Sequence, residues 1–340
     1  AKQKAISRDF GDWEDSYDLL PGWLDRMLKC CHGSAYRLET TDYVSNNVVD
    51  AHFRMFRRVF WTFRPACDVF NYTKSIIQID GTFLYGKYRG TLLIAITQDG
   101  NARVLPIVFA IVEVHNRNVD ICGKICRWID GILLQKWSLA HDEEGRRYGH
   151  MTKNLSKAMN KILKGACNLP ITTLVKCTYV RLVEYFVQRL GQANTELAVG
   201  QRYCSKLMDA MQNNQEDATS HFVQRYDYEA TRFEVEEAFN PVTQRGGHTW
   251  IVVLNERKCE CGAFQAYRYP RSHANAACAY VRIDPMTYVD ASYSNAYIKQ
   301  TYSGQWYPLG NDDNIILPTD LALSLTKVCC VLKAVRNQPV

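Results

Sequence analysis

The chain contains no apolar run approaching the roughly 20 residues that a membrane-crossing helix needs. It also has no internal repeat and no low-complexity tract. A glycine-rich phosphate loop, a nucleophile elbow and a dinucleotide fingerprint are all missing, which argues against the nucleotide-binding and hydrolase classes built on them. No charge sign dominates. The net charge is +6, from 41 Lys and Arg against 35 Asp and Glu, a mild basic excess compatible with nucleic acid and equally with an ordinary surface. No strong basic cluster is present. The chain opens Ala1-Lys2-Gln3-Lys4, with no methionine, signal peptide or transit pattern, so it reads as a fragment or an excised segment. Cysteine is not scarce, but 13 of them is an odd number at irregular spacing, which does not make a disulfide framework. A reducing compartment is expected, with most cysteines as small buried hydrophobes.

What is present is enough apolar material for a core. Hydrophobic residues make up 47% of 340 positions, sufficient for two domains or for one with appendages. Residues 1–56 read as helical and loop material: Trp13, Tyr17, Leu20, Trp23 and Leu24 recur at helical spacing, with Pro21 interrupting them. Residues 57–75 are aromatic and basic. The clearest strand signals follow. Ile76 to Asp80, Thr91 to Thr97 and Val104 to Val114 are apolar runs, and Gln98-Asp99-Gly100-Asn101 has hairpin-turn chemistry. Pro106 is expected at a strand start or edge. From Thr152 a capped helix is expected, with Leu155, Met159, Ile162, Leu163 and Ala166 on one face and Lys153, Lys157, Lys161 and Lys164 on the other. That lysine face reads either as solvated or as a DNA-backbone contact. Further helices are expected over about 171–190 and 196–213, then a boundary at 212–219. Alternating segments come next, Phe222 to Tyr228, Thr231 to Glu237 and Thr249 to Leu254, with a turn at Gly246-Gly247. Beyond residue 286 no organisation is legible except an apolar stretch from Leu321 to Leu332.

Two places could carry chemistry. Asp80 ends an apolar run and precedes Gly81, a placement suited to a divalent cation. Two-metal phosphoryl transfer needs several such carboxylates, and Asp-Gly alone is also a common turn. The second is Cys259-Glu260-Cys261, with His273 downstream at the start of an expected helix. Cys-x-Cys spacing puts both thiols on one face of a strand, and the imidazole can complete a small zinc knuckle. Cys278 is a poor further ligand, since it falls on another face of that helix, and reads as core. Cys30-Cys31-His32 and the Cys122/Cys126 pair read as chance or core packing. Asp130 and Asp142 are further carboxylates that sit in no recognisable motif, and His141, His150 and His248 have no evident partners.

The residues around Asp80 resemble the first catalytic block of plant Mutator-like element (MULE) transposases. The resemblance rests on Ile79-Asp80-Gly81-Thr82-Phe83, on Gly86-Lys87-Tyr88-Arg89-Gly90-Thr91-Leu92-Leu93, on Gln98-Asp99-Gly100-Asn101 and on Pro106 to Glu113, preceded by Val59 to Phe63. It continues at Arg147 to Ser156 and at Leu163 to Ile171, and covers about residues 1–310. The family implies a ribonuclease H-like fold with an Asp, Asp, Glu triad, and makes Asp80 the first acid. Where the third acid belongs, this chain has Lys157, and the interval from Asn118 to Arg146 lacks the motif of the second. Cys259, Cys261 and His273 resemble a SWIM zinc finger, whose third cysteine is replaced here by Arg271.

The resemblance therefore implies an α/β (α+β) protein with a truncated ribonuclease H-like core, a helical middle and a small ββα SWIM module. Its parts are expected at 1–56 (helical), 57–130 (partial transposase core), 131–215 (helical), 216–285 (zinc module) and 286–340 (tail). The expected function is that of a transposase-derived zinc-binding protein, catalytically inactive, that binds DNA or protein, with Asp80 vestigial. An active metal-dependent transposase and a nonfunctional fragment of a decayed element are the alternatives. Zinc is the expected cofactor, in a weakened site, with Mg or Mn only if the chain is active. DNA is the expected partner, through Lys157, Lys161, Lys164, Arg181 and Arg189; no membrane or small-molecule substrate is expected. The family implies the nucleus.

Overall fold

The apolar runs after Lys74 form strands because their alternating side chains can bury only one face. In the computed structural model these are β3 (Gln78–Phe83), β4 (Thr91–Gln98) and β5 (Val104–Val112), an antiparallel meander. Leu92, Ile94 and Ile96 of β4 turn inward with Ile107, Phe109 and Ile111 of β5. The structure describes residues 2–45, 47–112, 148, 163, 165–229, 231–239, 241–242, 244, 246–310 and 327–328. The helix expected from Thr152, Lys157, Lys161, Lys164, Asp130, Asp142, Cys122, Cys126, His141 and His150 lie outside the described residues. So does the tail's apolar stretch from Leu321 to Leu332, apart from Lys327 and Val328. Pro106 is the third residue of β5, beside a register shift in β4 and outside the stretch that pairs with β2, so its missing N–H removes no bond on that side.

Two more strands extend this sheet, β1 (Ala35–Ser45) and β2 (Val48–Thr62), and the order is β1-β2-β5-β4-β3. A two-residue β10 (Lys327–Val328) adds parallel to β2. The expectation that residues 1–56 are helix and loop is thus corrected from Ala35 onward. Val59 and Trp61 point inward on β2, but Arg54, Arg57 and Arg58 and a register shift blur the alternation. Two of those arginines are held across the hairpin, Arg54 on Asp42 at 2.7 Å and Arg58 on Glu39 at 2.6 Å.

The helices α1 (Lys2–Phe10) and α2 (Asp15–Cys30) precede the sheet. Pro21 does not interrupt α2, contrary to expectation. A proline inside a helix costs about 3 kcal/mol, and here burial of Tyr17, Leu20, Trp23, Leu24 and Met27 outweighs it. After a short α3 (Arg64–Asp68), the long α4 (Ile171–Ala198) and α5 (Ser205–Ala218) complete the main layer. The helix expected to end near 190 runs on until Gly200, whose φ of +80° stops it.

Residues 285–302 are ordered in the main core, which corrects the reading of everything past 286 as unorganised. Val289, Tyr293, Ile298 and Tyr302 are buried there, the last two in and just after α8 (Asn295–Thr301). These residues were illegible because their burial follows no helical or strand period. A polar network ties them to the β4–β5 turn. The fully buried Asp99 accepts from Arg103 Nε at 2.7 Å and from the Tyr302 hydroxyl at 2.8 Å. A Cβ on Gly100 would lie 2.0 Å from the Ser292 carbonyl oxygen, so only glycine fits that turn.

A second, separate core belongs to β6 (Phe222–Asp227), β7 (Arg232–Glu236), β8 (Thr249–Val253) and β9 (Lys258–Cys259), antiparallel in that order. The short α6 (Ala263–Tyr267) and α7 (Ser272–Val281) cover it, α7 also packing on α5. Phe233, Val235, Val252, Leu254, Phe264, Ala277 and Cys278 fill it. The protein is a mixed α+β structure of two largely antiparallel sheets.

Candidate metal centre

The centre forms on the inward face of the second sheet. Phe233 pairs with Val252 and Val252 with Cys259, so all three side chains share one face. Cys259 is pinned through its backbone: its N–H donates to Gln265 Oε1 at 3.0 Å, and its carbonyl accepts from Gln265 Nε2 at 2.8 Å. Gly262, at φ +75°, then turns the chain into α6. Cys261 sits in that turn and returns to the same face as Cys259. His273 is the second residue of α7. The Cys259 and Cys261 sulfurs and a His273 ring nitrogen all lie within 4.8 Å of one another, a group able to hold a metal ion. Cys259 Sγ is 3.6 Å from His273 Nδ1.

The other ring nitrogen is engaged too. His273 Nε2 lies 2.6 Å from Glu237 Oε1. The same oxygen accepts from Trp250 Nε1 at 3.0 Å, and the Trp250 ring stacks on the imidazole with centroids 5.8 Å apart. The His221 ring lies 5.2 Å from that of His273.

The electrostatics follow from this crowding. The hydrogen bond from Cys259 holds the Cys261 thiol well below the ordinary thiol range, with His273 assisting and burial opposing. Cys259 is pushed far up by Cys261 and by burial. The two thiols are thus driven in opposite directions, Cys261 toward the thiolate and Cys259 toward the thiol. Burial works against a charged His273, but Cys261 and Glu237 outweigh it and raise its affinity for a proton. Burial likewise opposes ionisation of Glu237, while the bonds from His273 and Trp250 hold its carboxyl below the usual range. Two thiols and an imidazole are soft and borderline donors, the set that zinc takes.

Other candidates fall elsewhere. Arg271 precedes α7, and its guanidinium lies over the Tyr267 ring at 4.9 Å and within 3.5 Å of the Tyr269 hydroxyl. Its charge is drawn toward tyrosines, a detail that spacing alone does not encode. Cys278 is buried in the second core, which raises its thiol to about 12. Asp80 does not end a buried strand. It lies mid-strand in β3, the edge of the first sheet, half-buried opposite Ile94. Among the described residues, Cys259, Cys261 and His273 are the sole metal-capable group, and neither Asp80 nor Cys30, Cys31 and His32 belongs to one. Arg189 donates inward to the Tyr302 hydroxyl at 2.9 Å and the Val104 carbonyl at 3.1 Å, so this guanidinium serves the core. Arg181 is exposed beside Glu184 at 3.6 Å.

Sequence reasoning missed Glu237, Trp250 and His221. One signal was available: Phe233, Val235 and Glu237 share strand parity, so a carboxylate continues an inward-facing apolar series. No family model, characterised protein or solved structure matches the chain.

Proposed function

We propose that this chain is a transposase-derived zinc-binding protein of the MULE type that has lost strand-transfer chemistry. The observation carrying the reading is the convergence of Cys259, Cys261 and His273 into one group of zinc-type donors. Cys259 and Cys261 as thiolates and His273 through Nδ1 would hold the ion. Zinc there would tie the β9 edge to the start of α7 and so contribute directly to folding. The β3–β5 meander, which carries the transposase-like residues, would be the remainder of a ribonuclease H-like core. Asp80 is on an edge strand, beside which a segment bearing further acids would have to lie. A single carboxylate cannot bind two metal ions in the geometry that phosphoryl transfer requires. DNA contact, if retained, is electrostatic and weak, with Arg181 available and Arg189 committed to the core; a nuclear location follows from the same family reading.

The test uses the purified full chain. We expect about one zinc per chain by elemental analysis, lost in Cys259→Ser, and no Mg²⁺- or Mn²⁺-dependent nicking of supercoiled plasmid. Nicking that vanishes in Asp80→Ala would overturn the inactive reading, and equal zinc content in wild type and Cys259→Ser would overturn the metal reading.

A further inference from the structure

We infer that Glu237, outside the cysteine–histidine motif, is the positioning residue of this centre: it takes the His273 Nε2–H, fixes the tautomer, and leaves the Nδ1 lone pair aimed at the thiols. The inference rests on the zinc reading above. Its first support is the ring itself. A neutral imidazole has one donor and one acceptor nitrogen. Glu237 Oε1, 2.6 Å from Nε2, accepts there, so Nε2 carries the proton, and in the neutral ring that ligation requires Nδ1 is the bare nitrogen. Nδ1 is also the nitrogen facing Cys259 Sγ, at 3.6 Å. The assignment thus comes from the neighbours on both sides of the ring.

The second support is that Glu237 is itself immobilised. Its backbone N–H donates to the His248 carbonyl at 2.9 Å, and its carbonyl accepts from the Gly247 N–H at 3.0 Å. Its Oε1 is held by Trp250 Nε1, and the Trp250 ring stacks on the imidazole that Glu237 orients. Carboxylate, indole and imidazole form one assembly, with the His273 side chain only 8% exposed. Such a carboxylate behind a ligating histidine fixes ring orientation and raises ligand basicity. Arg271 offers no electron pair to a metal, so the burden on each remaining ligand is greater here than in a four-ligand knuckle, and preorganisation of His273 should matter correspondingly.

The experiment measures zinc affinity by chelator competition on the full chain, for wild type, Glu237→Gln, Glu237→Leu, Trp250→Phe and Cys259→Ser. The His273 tautomer is read in parallel from imidazole ¹⁵N shifts. Glu237→Leu should weaken zinc by about 10- to 100-fold. Glu237→Gln, whose amide oxygen still accepts from Nε2, should lose less and keep the Nε2–H tautomer. Trp250→Phe removes the other donor to Glu237 and should keep the tautomer too. A merely structural Glu237 would lower the melting temperature without shifting the tautomer or separating Gln from Leu in zinc affinity. Wild-type affinity retained in Glu237→Leu, or Nδ1–H as the protonated nitrogen in the wild type, overturns the inference while leaving the zinc reading intact. Wild-type affinity no better than Cys259→Ser overturns both.

Discussion

The edge of the first sheet and the edge of the second make an instructive pair. At β3, Asp80 lies on an outermost strand and belongs to no metal-capable group of three among the described residues. At β9, also outermost, two thiols from one short turn meet an imidazole from α7 and, behind it, a carboxylate from the end of β7. The difference lies in what crosses each edge. A metal site survives at a sheet edge when another element brings donors over it. Helix α7 does that for β9. A centre whose donors come from several distant segments depends on every one of them, whereas a compact knuckle draws three donors from a short span and is harder to dismantle.

The largest test of this contrast removes metal. Stripping zinc, or Cys259→Ser, should unfold the second core's β9–α7 corner and lower thermal stability by several kcal/mol on the scale of structural zinc sites, about 10 kcal/mol or more in small fingers. Asp80→Ala should change neither zinc content nor the main melting transition by calorimetry. A large loss of stability in Asp80→Ala would show that β3 still holds something the edge position does not reveal.

A smaller effect sharpens the contrast in charge. In the second core the carboxylate and imidazole are paired. Behind the first sheet, Lys74 is buried against Gln98 Oε1 at 3.0 Å and between the Tyr148 and Tyr293 rings. Burial lowers it from 10.5 to about 8, with Asp99 only partly restoring it. Below that value both folded and unfolded chains carry the proton. As pH rises through it, the folded chain loses the proton and the unfolded chain keeps it, so stability increases. Above the ordinary thiol value of 9.0 that gain levels off, because Cys204 stays protonated in the fold up to about 11 and its opposite slope cancels that of Lys74. Between about pH 7.5 and 9, the stability gained with pH in urea unfolding should be about 1 kcal/mol larger in the wild type than in Lys74→Met. Equal pH profiles in the wild type and Lys74→Met would mean the lysine is better solvated than its surroundings imply.

Next is Arg271→Cys. It places a thiol near the start of α7 and should tighten zinc roughly tenfold, about 1.4 kcal/mol, by chelator competition. No gain would mean that the Arg271 position, occupied by a side chain turned to Tyr267, cannot face the centre. The smallest change concerns solubility. Ile79 and Phe83 are 65% and 62% exposed on the β3 edge. Ile79→Lys should shift stability by less than about 0.5 kcal/mol yet reduce self-association in light scattering, as charges on exposed edges do. Unchanged association would show that this edge is already covered.

What the sequence revealed tracks how local the information was. The β3–β5 runs and the strands of the second sheet were legible because burial alternated with a period of two. The Cys259, Cys261 and His273 donors were legible because short spacing encodes them. The β1–β2 hairpin was not, since Arg57 and Arg58 break its alternation and their partners Thr41 and Glu39 lie on the other strand. Glu237 was missed for the same reason: its role exists only once β7 is folded against α7. Likewise Arg189 looked like an outward cation until Tyr302 and the Val104 carbonyl were seen to claim it.

The bond between Asp99 and Tyr302 joins residues 203 positions apart, and it has a consequence for the order of events on the ribosome. At about 5–20 residues per second, the β4–β5 turn emerges on the order of ten to forty seconds before its partner is made. Through that interval the Asp99 carboxylate has only Arg103 of its own turn as a side-chain partner among these bonds, and the turn still lacks the seal that Tyr302 provides. Stalled nascent chains ending before Tyr302 should be cut by protease across β4 and β5, and those extending well past it should resist; protection that arrives earlier would mean the sheet matures without its C-terminal seal.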